Sequence, residues 1–192
     1  MVFSGVGGQG VVVLSDIFCE AALISGFDVA KAEVHGMAQR GGSIVAHARI
    51  GDKVQSPLIE RGMADILLGF EILETARALY MLKQEGKVVL NTKYMPPNTG
   101  FKSAKPVNQA QLLDMIRNRA ARVYEINAMN MAEKLGHLLV VNTILLGALS
   151  ALPENPIKKE SFEEAISKRF KEKFIKINLQ AFELGRESVI LG

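Results

Sequence analysis

A glycine-rich loop near the start of the chain is the feature that most limits the fold. Residues 4–10 read SGVGGQG, directly after a short apolar segment and directly before a long apolar one. The loop contains four glycines, namely Gly5, Gly7, Gly8 and Gly10. Three of them satisfy the spacing G-x-G-x-x-G, in which the first permits a tight turn, the second lets a ligand approach the backbone and the third lets a helix pack on a strand. The pattern predicts a strand over residues 2–4, a turn, and a helix from residue 9 or 10 to about residue 25.

A second strand is predicted over residues 27–34, which would complete a βαβ unit with a right-handed crossover. Glu33 stands near the end of this strand, where nucleotide-binding units of this kind carry an acid about 20 residues after the glycine loop. Backbone N–H groups at the start of the helix favour an anion, whereas Gln9 adds an amide and no positive charge for a pyrophosphate. Two interpretations stay open: a site for a phosphate-bearing ligand, or glycines that serve only the turn and the packing of helix on strand.

A second candidate site lies in the loop HGMAQRGG at residues 35–42. The candidate residues in it are His35, Gln39, Arg40, Gly41 and Gly42. A guanidinium beside two glycines suits bidentate recognition of a carboxylate or a phosphate, and a histidine can exchange a proton near neutral pH. The alternative is structural: Arg40 pairs with Glu33 or with a partner protein, and His35 is an ordinary surface group.

Neither a metal site nor a catalytic set is expected. Glu33, His35 and His47 are residue types that bind metals, but their spacing supports no site, and His47 is expected to face solvent or an interface. The sequence contains no nucleophile motif of the type G-x-S-x-G or CxxC and no phosphate-loop lysine. The catalytic residues of this chain, if it has any, are unknown from sequence.

The rest of the chain predicts an α/β fold. A strictly alternating strand over residues 43–50 is expected to form a β-hairpin with residues 53–59, and further strands are expected over 64–70, 87–91 and 122–126. Helices are expected over 71–84 (capped by Gly86), 109–120, 128–136 and 138–152, followed by two amphipathic C-terminal helices. A long loop is expected over 93–108. The fold class is a Rossmann-like mixed, mainly parallel sheet flanked by helices, in one domain over residues 1–192 with a C-terminal helical extension over 154–192.

Composition limits the classes of partner. The net charge of +3 comes from 23 basic and 20 acidic residues without a basic cluster interleaved with aromatics, so no nucleic-acid partner is expected. Cys19 is the single cysteine, which excludes an internal disulfide, and an iron–sulfur cluster usually needs four thiolates. The longest apolar run, residues 138–152, is too short for a comfortable membrane span and carries polar residues. No membrane association and a cytoplasmic location are therefore expected.

Two stretches taken together resemble a known family. GVGGQGVVVLSDI followed by EVHGMAQRGGSIVAHARIGD is similar to the gamma-type subunit of 2-oxoacid:ferredoxin oxidoreductases, and within that family to its indolepyruvate-oxidising branch. Supporting matches are SPLIERGMADILLGFEILETARAL, VVLNT with its following prolines, and VVNTILLGAL. The similarity covers nearly the whole chain, although the C-terminal helices match only loosely.

The resemblance implies a function that this chain does not perform alone. Such enzymes oxidatively decarboxylate a 2-oxo acid, here an arylpyruvate, to an acyl-CoA and pass two electrons to ferredoxin. The resemblance places thiamine diphosphate and the iron–sulfur clusters on a large partner subunit, with CoA as co-substrate. The glycine loop would contact that partner or a CoA phosphate, and the stretch around Arg40 would lie at the subunit interface. The alternative functions are a stand-alone NAD(P)-dependent dehydrogenase and a scaffold subunit without a catalytic role. In isolation the chain could form a homodimer.

Overall fold

The computed structural model describes residues 1–36, 41–96 and 108–190. Its strands form one six-stranded sheet in the order β2-β3-β1-β4-β5-β6. The strands are β1 Val2–Val6, β2 Asp28–His35, β3 Ser43–Gly51, β4 Ala64–Gly69, β5 Leu82–Asn91 and β6 Arg122–Ile126. The α-helices in the described residues are α1 Val11–Ile24, α2 Ile72–Ala78, α3 Gln109–Arg119, α4 Ala128–Lys134, α5 Val141–Ser150, α6 Lys159–Arg169 and α7 Glu172–Ile190. Two short 3-10 turns, Leu79–Met81 and Leu138–Val140, precede β5 and α5.

The sheet is mixed and mainly parallel, which confirms the predicted fold class. β1, β4, β5 and β6 pair in parallel, whereas β3 is antiparallel to both of its neighbours, β1 and β2. Helices cover both faces. Phe3, Ala46 and Leu68 belong to the core under α1, α5, α6 and α7, whereas Val2 and Leu67 belong to the core under α2 and α3. Alternate residues of one strand thus enter opposite cores.

The prediction for the first strands is wrong in the pairing of β3. β1 and β2 run parallel, as the predicted βαβ unit requires, but β3 lies between them and is antiparallel to both. The hairpin partner of β3 is β2, paired from Asp28 with Gly51 to His35 with Ile44, and not residues 53–59. β2 and β3 are similar in length, and their backbone N–H and C=O groups pair along the eight residues of β2. The segment 53–59 contains Pro57, which has no N–H to donate to a neighbouring strand.

The predicted helix over residues 71–84 is also wrong in its second half. The helix ends at Ala78, a 3-10 turn follows, and β5 already begins at Leu82. Leu82 is fully buried opposite Ala64, and a register shift in this pairing leaves the next polar residues exposed. The polar residues between the buried Leu82 and the buried Gly86 imitate the polar face of a helix. Gly86 is therefore inside a strand and not a helix cap.

Two helices of the C-terminal half cross unusually closely. A Cβ added to Gly147 of α5 would lie 1.9 Å from the backbone oxygen of Phe182, and a Cβ added to Gly185 of α7 would lie 1.9 Å from the backbone oxygen of Ile144. Each glycine therefore fits against the backbone of the other helix, so neither helix can carry a side chain at the crossing. Phe162 and Phe182 pack beside it with ring centroids 5.7 Å apart.

Cys19 lies on the buried face of α1, as the sequence predicts. The residue is 8% exposed, and burial raises the pKa of its thiol to about 11. A thiol with such a pKa is almost fully protonated at neutral pH and is a poor nucleophile. Among the described residues no helix is long and apolar enough to cross a membrane.

The close crossing predicts the effect of adding one methyl group. Gly147→Ala should lower the free energy of unfolding by about 1–3 kcal/mol, the usual cost of overpacking, although alanine favours a helix over glycine by up to about 1 kcal/mol. Gly185→Ala should do the same. Because both substitutions separate the same pair of helices, the double variant should lose less than the sum. Urea denaturation followed by circular dichroism measures all three; unchanged or increased stability in either single variant would contradict the crossing.

Candidate functional site

A cleft opens at the carboxyl ends of the parallel strands, between β1 and its neighbour β4. After β1 the chain continues to β2 and β3 on one side of the sheet, and after β4 it continues to β5 and β6 on the other side. The helices that follow these two strands, α1 and α2, pack on opposite faces of the sheet. Open α/β sheets bind ligands at such a switch point. The cleft has a volume of about 300 Å³ and is lined by Gly8, Gln9, Gly10, Phe70, Asn91, Lys93, Met95, Met129, Leu138, Leu139, Val141 and Asn142.

The glycine loop forms one wall of this cleft. Gly8 and Gly10 have φ angles of 101° and 84°, a region that side-chain-bearing residues rarely adopt. Gly5 is required for a different reason, because a Cβ there would lie 2.8 Å from Phe70, from Val11 and from the side-chain oxygen of Gln9. The loop glycines therefore serve both the turn and the packing of α1 on the sheet.

The side chain of Gln9 braces the loop from within. Its Oε1 accepts a hydrogen bond from the backbone N–H of Val6 at 2.7 Å, and its backbone N–H donates to the oxygen of Val6 at 3.1 Å. Its Nε2 lies 3.0 Å from the sulfur of Met95 across the cleft. The glutamine thus fixes the turn with one end of its amide and presents the other end toward the cleft.

The N-terminus of α1 borders the cleft without a cap. Gly10 occupies the N-cap position, so among the described residues no side chain accepts from the first N–H groups of the helix, and the first turn carries no acidic residue. Unpaired N–H groups and the positive end of the helix dipole favour a bound anion. This end of the cleft is therefore suited to a phosphate or a carboxylate.

Two buried asparagines, which the sequence analysis did not single out as site residues, lie in the cleft wall. Asn91 at the end of β5 is 2% exposed; its Nδ2 donates to the backbone oxygen of Phe70 at 3.0 Å, and its Oδ1 has no partner in the described part of the chain. Asn142 in the first turn of α5 is 8% exposed, and its Nδ2 would lie 2.9 Å from a Cβ on Gly10. A polar residue at the end of an apolar strand, VVLN, was the available signal for Asn91.

A buried carboxylate fastens the segment that follows β5. Glu71 is fully buried and caps α2; its side chain accepts from the N–H groups of Leu73 at 2.9 Å and of Glu74. The same carboxylate accepts from the N–H of Met95 at 3.2 Å, and Lys93 accepts through its backbone oxygen from Ile72 at 2.9 Å. Burial raises the pKa of Glu71. The segment over residues 93–95 is held along the cleft, while most of the predicted loop, residues 97–107, lies outside the described residues.

The two glycine stretches that the sequence suggests separately meet in the structure. The N–H of Gly7 donates to the oxygen of Gly42 at 2.9 Å, and the N–H of Gly41 donates to the oxygen of Gly7 at 3.4 Å. His35 ends β2, opposite Ile44. Gln39 and Arg40 lie outside the described residues. The loop after β2 is therefore attached to the glycine loop by backbone hydrogen bonds at its C-terminal end.

Glu33 lies apart from the glycine loop. It is on β2, with β3 between it and β1, and its carboxylate lies 2.6 Å from the amine of Lys31. Lys31 also pairs with Asp16 of α1. In a dinucleotide-binding unit the acid stands on the strand beside the glycine loop, and here that neighbouring position belongs to β3.

His47 is buried rather than exposed, contrary to the prediction from its strand. It is 7% exposed, its Nδ1 accepts from the N–H of Ile59 at 3.2 Å, and burial lowers its pKa. His47 pairs with Ala32 across β2 and β3, whereas Glu33 pairs with Ala46, so the two side chains point to opposite faces of the sheet. They cannot share one metal ion.

The cleft can bind a ligand but contains few side chains that could act in catalysis. Lys93 is its one titratable group among the described lining residues. The outer part is apolar and exposed: Leu138 and Leu139 are 56% and 82% exposed. A helix N-terminus, two buried amides and an apolar rim suit a ligand with an anionic part, a neutral polar part and an apolar part.

The chain matches one protein family and several known relatives along most of its length. A family model described as pyruvate ferredoxin/flavodoxin oxidoreductase matches residues 1–188. The chain is 39% identical to the indolepyruvate oxidoreductase subunit IorB of Archaeoglobus fulgidus, with 100% of this chain and 96% of that protein covered. It is 40% identical to the subunit of the same name of Methanothermobacter thermautotrophicus, with 94% and 92% covered.

A solved structure shows the same fold. The gamma subunit of a keto/oxoacid ferredoxin oxidoreductase from Geobacter sulfurreducens superimposes with a TM-score of 0.74 at 26% identity, and 100% of this chain and 98% of that chain are covered. The fold, the full-length family match and the two relatives confirm the resemblance seen in the sequence. The chain therefore belongs to the pyruvate ferredoxin/flavodoxin oxidoreductase family.

Proposed function

We propose that this chain is the small subunit of a ferredoxin-dependent oxidoreductase that acts on indolepyruvate or a related arylpyruvate. The observation that carries the proposal is the similarity to two indolepyruvate oxidoreductase subunits along nearly the entire length of both partners. The reaction is a CoA-dependent oxidative decarboxylation with ferredoxin as electron acceptor. In this enzyme the small subunit binds and positions the co-substrate CoA, and the large partner subunit carries out the redox chemistry.

The residues of this chain support that division of labour. One cysteine, Cys19, is buried in α1 and cannot hold an iron–sulfur cluster. The described cleft contains no carboxylate or histidine that could move a proton during decarboxylation. Thiamine diphosphate and the clusters accordingly belong to a large partner subunit, and ferredoxin docks on the complex. We place the enzyme in the cytoplasm, where thiols such as that of Cys19 stay reduced.

The cleft is the proposed binding site for CoA on this chain. The phosphates of CoA would accept from the uncapped N–H groups of α1, where Gly8 and Gly10 have no side chain to block the ligand. The exposed Leu138 and Leu139 would contact its apolar part or the partner subunit. The loop around Arg40, attached to the glycine loop through Gly41 and Gly42, would face the partner.

The position of Glu33 disfavours the NAD(P) alternative. An acid that binds the ribose must reach the ligand at the glycine loop, whereas Glu33 is one strand further out and ion-paired with Lys31. Calorimetry of the isolated chain with NAD⁺ or NADH should therefore show no binding. Clear binding that is lost in Glu33→Ala would favour a stand-alone dehydrogenase.

The division of labour predicts the outcome of reconstitution. With thiamine diphosphate, indolepyruvate, CoA and a viologen dye as acceptor, neither this chain nor the large subunit should turn over alone, and the mixture should be active. Pyruvate in place of indolepyruvate serves as the substrate control. Full activity of the large subunit alone would overturn the proposal that this chain is required.

A matched pair of substitutions tests the anion site. Gly8 is exposed, and a Cβ there would meet nothing within 4 Å, so Gly8→Asn and Gly8→Asp carry the same backbone strain and nearly the same shape. Only the aspartate adds a negative charge beside the N-terminus of α1. It should raise the KM for CoA about tenfold over the asparagine variant, which corresponds to about 1.4 kcal/mol.

The control for the Gly8 pair is the KM for the 2-oxo acid, which should be equal in the two variants. Equal KM values for CoA in both variants of the assembled enzyme would contradict a phosphate at this helix N-terminus. That result would instead favour a scaffold role for the glycine loop.

A further inference from the structure

Asn142 presents a hydrogen-bond donor to the cleft beside the start of α1. Its Oδ1 accepts from the backbone N–H of Thr143 at 2.9 Å, which fixes the orientation of the amide. Its Nδ2 would lie 2.9 Å from a Cβ on Gly10, the residue directly before α1. The residue is 8% exposed, and Nδ2 has no hydrogen-bond partner among the described residues. Unlike Oδ1 of Asn91, this nitrogen keeps surface that a ligand in the cleft can reach.

Gln9 offers a second donor at the same end of the cleft. Its Oε1 accepts from the N–H of Val6, whereas its Nε2 donates only to the sulfur of Met95, at 3.0 Å. A thioether sulfur is a weak acceptor, and an anionic oxygen forms a much stronger hydrogen bond with the same N–H. Because Gln9 and Gly10 are adjacent in the chain, the two side-chain donors lie beside the uncapped N–H groups of α1.

Lys93 supplies a positive charge from the other wall of the cleft. The backbone around it is held at two points: its carbonyl accepts from the N–H of Ile72 at 2.9 Å, and the N–H of Met95 donates to the buried carboxylate of Glu71 at 3.2 Å. The Lys93 side chain is exposed and has no ion-pair partner in the described part of the chain. It is therefore an unneutralised cation on a fixed backbone, in a cleft whose described lining contains no acid.

We propose that the cleft recognises the diphosphate of CoA: Asn142 and Gln9 donate to the phosphate at the N-terminus of α1, and Lys93 binds the phosphate next to it. The inference rests on the proposed function, since it takes the ligand to be CoA. The donors stand on two walls of the cleft, so the ligand must present anionic oxygens to both. A diphosphate does so, whereas a carboxylate has two oxygens in one plane.

Removing the charge of Lys93 tests one half of the inference. Lys93→Met keeps an unbranched side chain without the ammonium group, and because the residue is exposed the variant should fold and assemble. In the assembled enzyme it should raise the Kd of desulfo-CoA, an unreactive form of CoA, about 2- to 5-fold, the range of an exposed charge pair. Since salt screens such a pair, this Kd should rise less steeply with NaCl than the native Kd does. Lys93→Arg keeps the charge and should bind like the native enzyme.

The matched control is a lysine outside the cleft. Lys176 is exposed on α7 and lines a separate groove, so Lys176→Met removes the same charge without reaching the ligand. It should leave the Kd of desulfo-CoA and its salt dependence at the native values. Equal values in Lys93→Met and Lys176→Met would overturn the inference. If the Gly8 pair still differed, the proposed function would stand without it.

The donor from Asn142 is tested by a change of one atom. Asn142→Asp keeps the oxygen that accepts from Thr143 and replaces Nδ2 with a second oxygen, in the first turn of α5, where helices favour negative charge. The donor is lost and the new charge repels the phosphate, so the Kd of desulfo-CoA should rise at least about tenfold. Pantetheine, which lacks the diphosphate, should bind the variant and the native enzyme equally. A native Kd for desulfo-CoA, or an equal loss for pantetheine, would overturn the inference.

Discussion

The turn between β1 and α1 is the constraint on which the site depends. The hydrogen bond from the N–H of Val6 to the side chain of Gln9 closes the loop, and it requires the absence of a Cβ at Gly5, which would meet that same side chain at 2.8 Å. With the loop closed in this way, the uncapped end of α1 lies at the switch point of the sheet. One glutamine and the glycines around it therefore hold the first backbone N–H groups of α1 where they can bind a ligand.

The C-terminal helices extend this arrangement. α5 and α7 touch backbone to backbone through Gly147 and Gly185, and Asn142 in the first turn of α5 lies beside Gly10. The packing that holds α5 in place therefore also positions one wall of the cleft. A change in the spacing of α5 and α7 would move that wall.

The elements that could be predicted from the sequence are those that a local pattern determines. The glycine loop, α1, α3, β6 and the alternating strand β3 all have a periodicity or a glycine signal of their own. The partner of β3 had no such signal, because alternation says that a strand pairs but not with which strand. The polar residues 83–85 imitated a helix surface because a register shift places them in β5 without a buried partner position, with residues 84 and 85 exposed.

The site was predictable only in part for the same reason. Gly5 to Gly10 could be recognised from spacing, and their contact with Gly42 could not, since it joins two loops that are distant in sequence. Asn91 and Asn142 stand in apolar runs, and what distinguishes them is the pairing state of single atoms after folding. Glu33 met the spacing of a ribose-binding acid, but β3 occupies the position beside β1 that this role requires.

The most direct test of the central claim is a structure of the assembled enzyme with CoA bound. The account predicts a phosphate of CoA within hydrogen-bonding distance of the first backbone N–H groups of α1, in the cleft between β1 and β4. CoA that contacts only the large subunit, with the cleft filled by side chains of that partner, would contradict it.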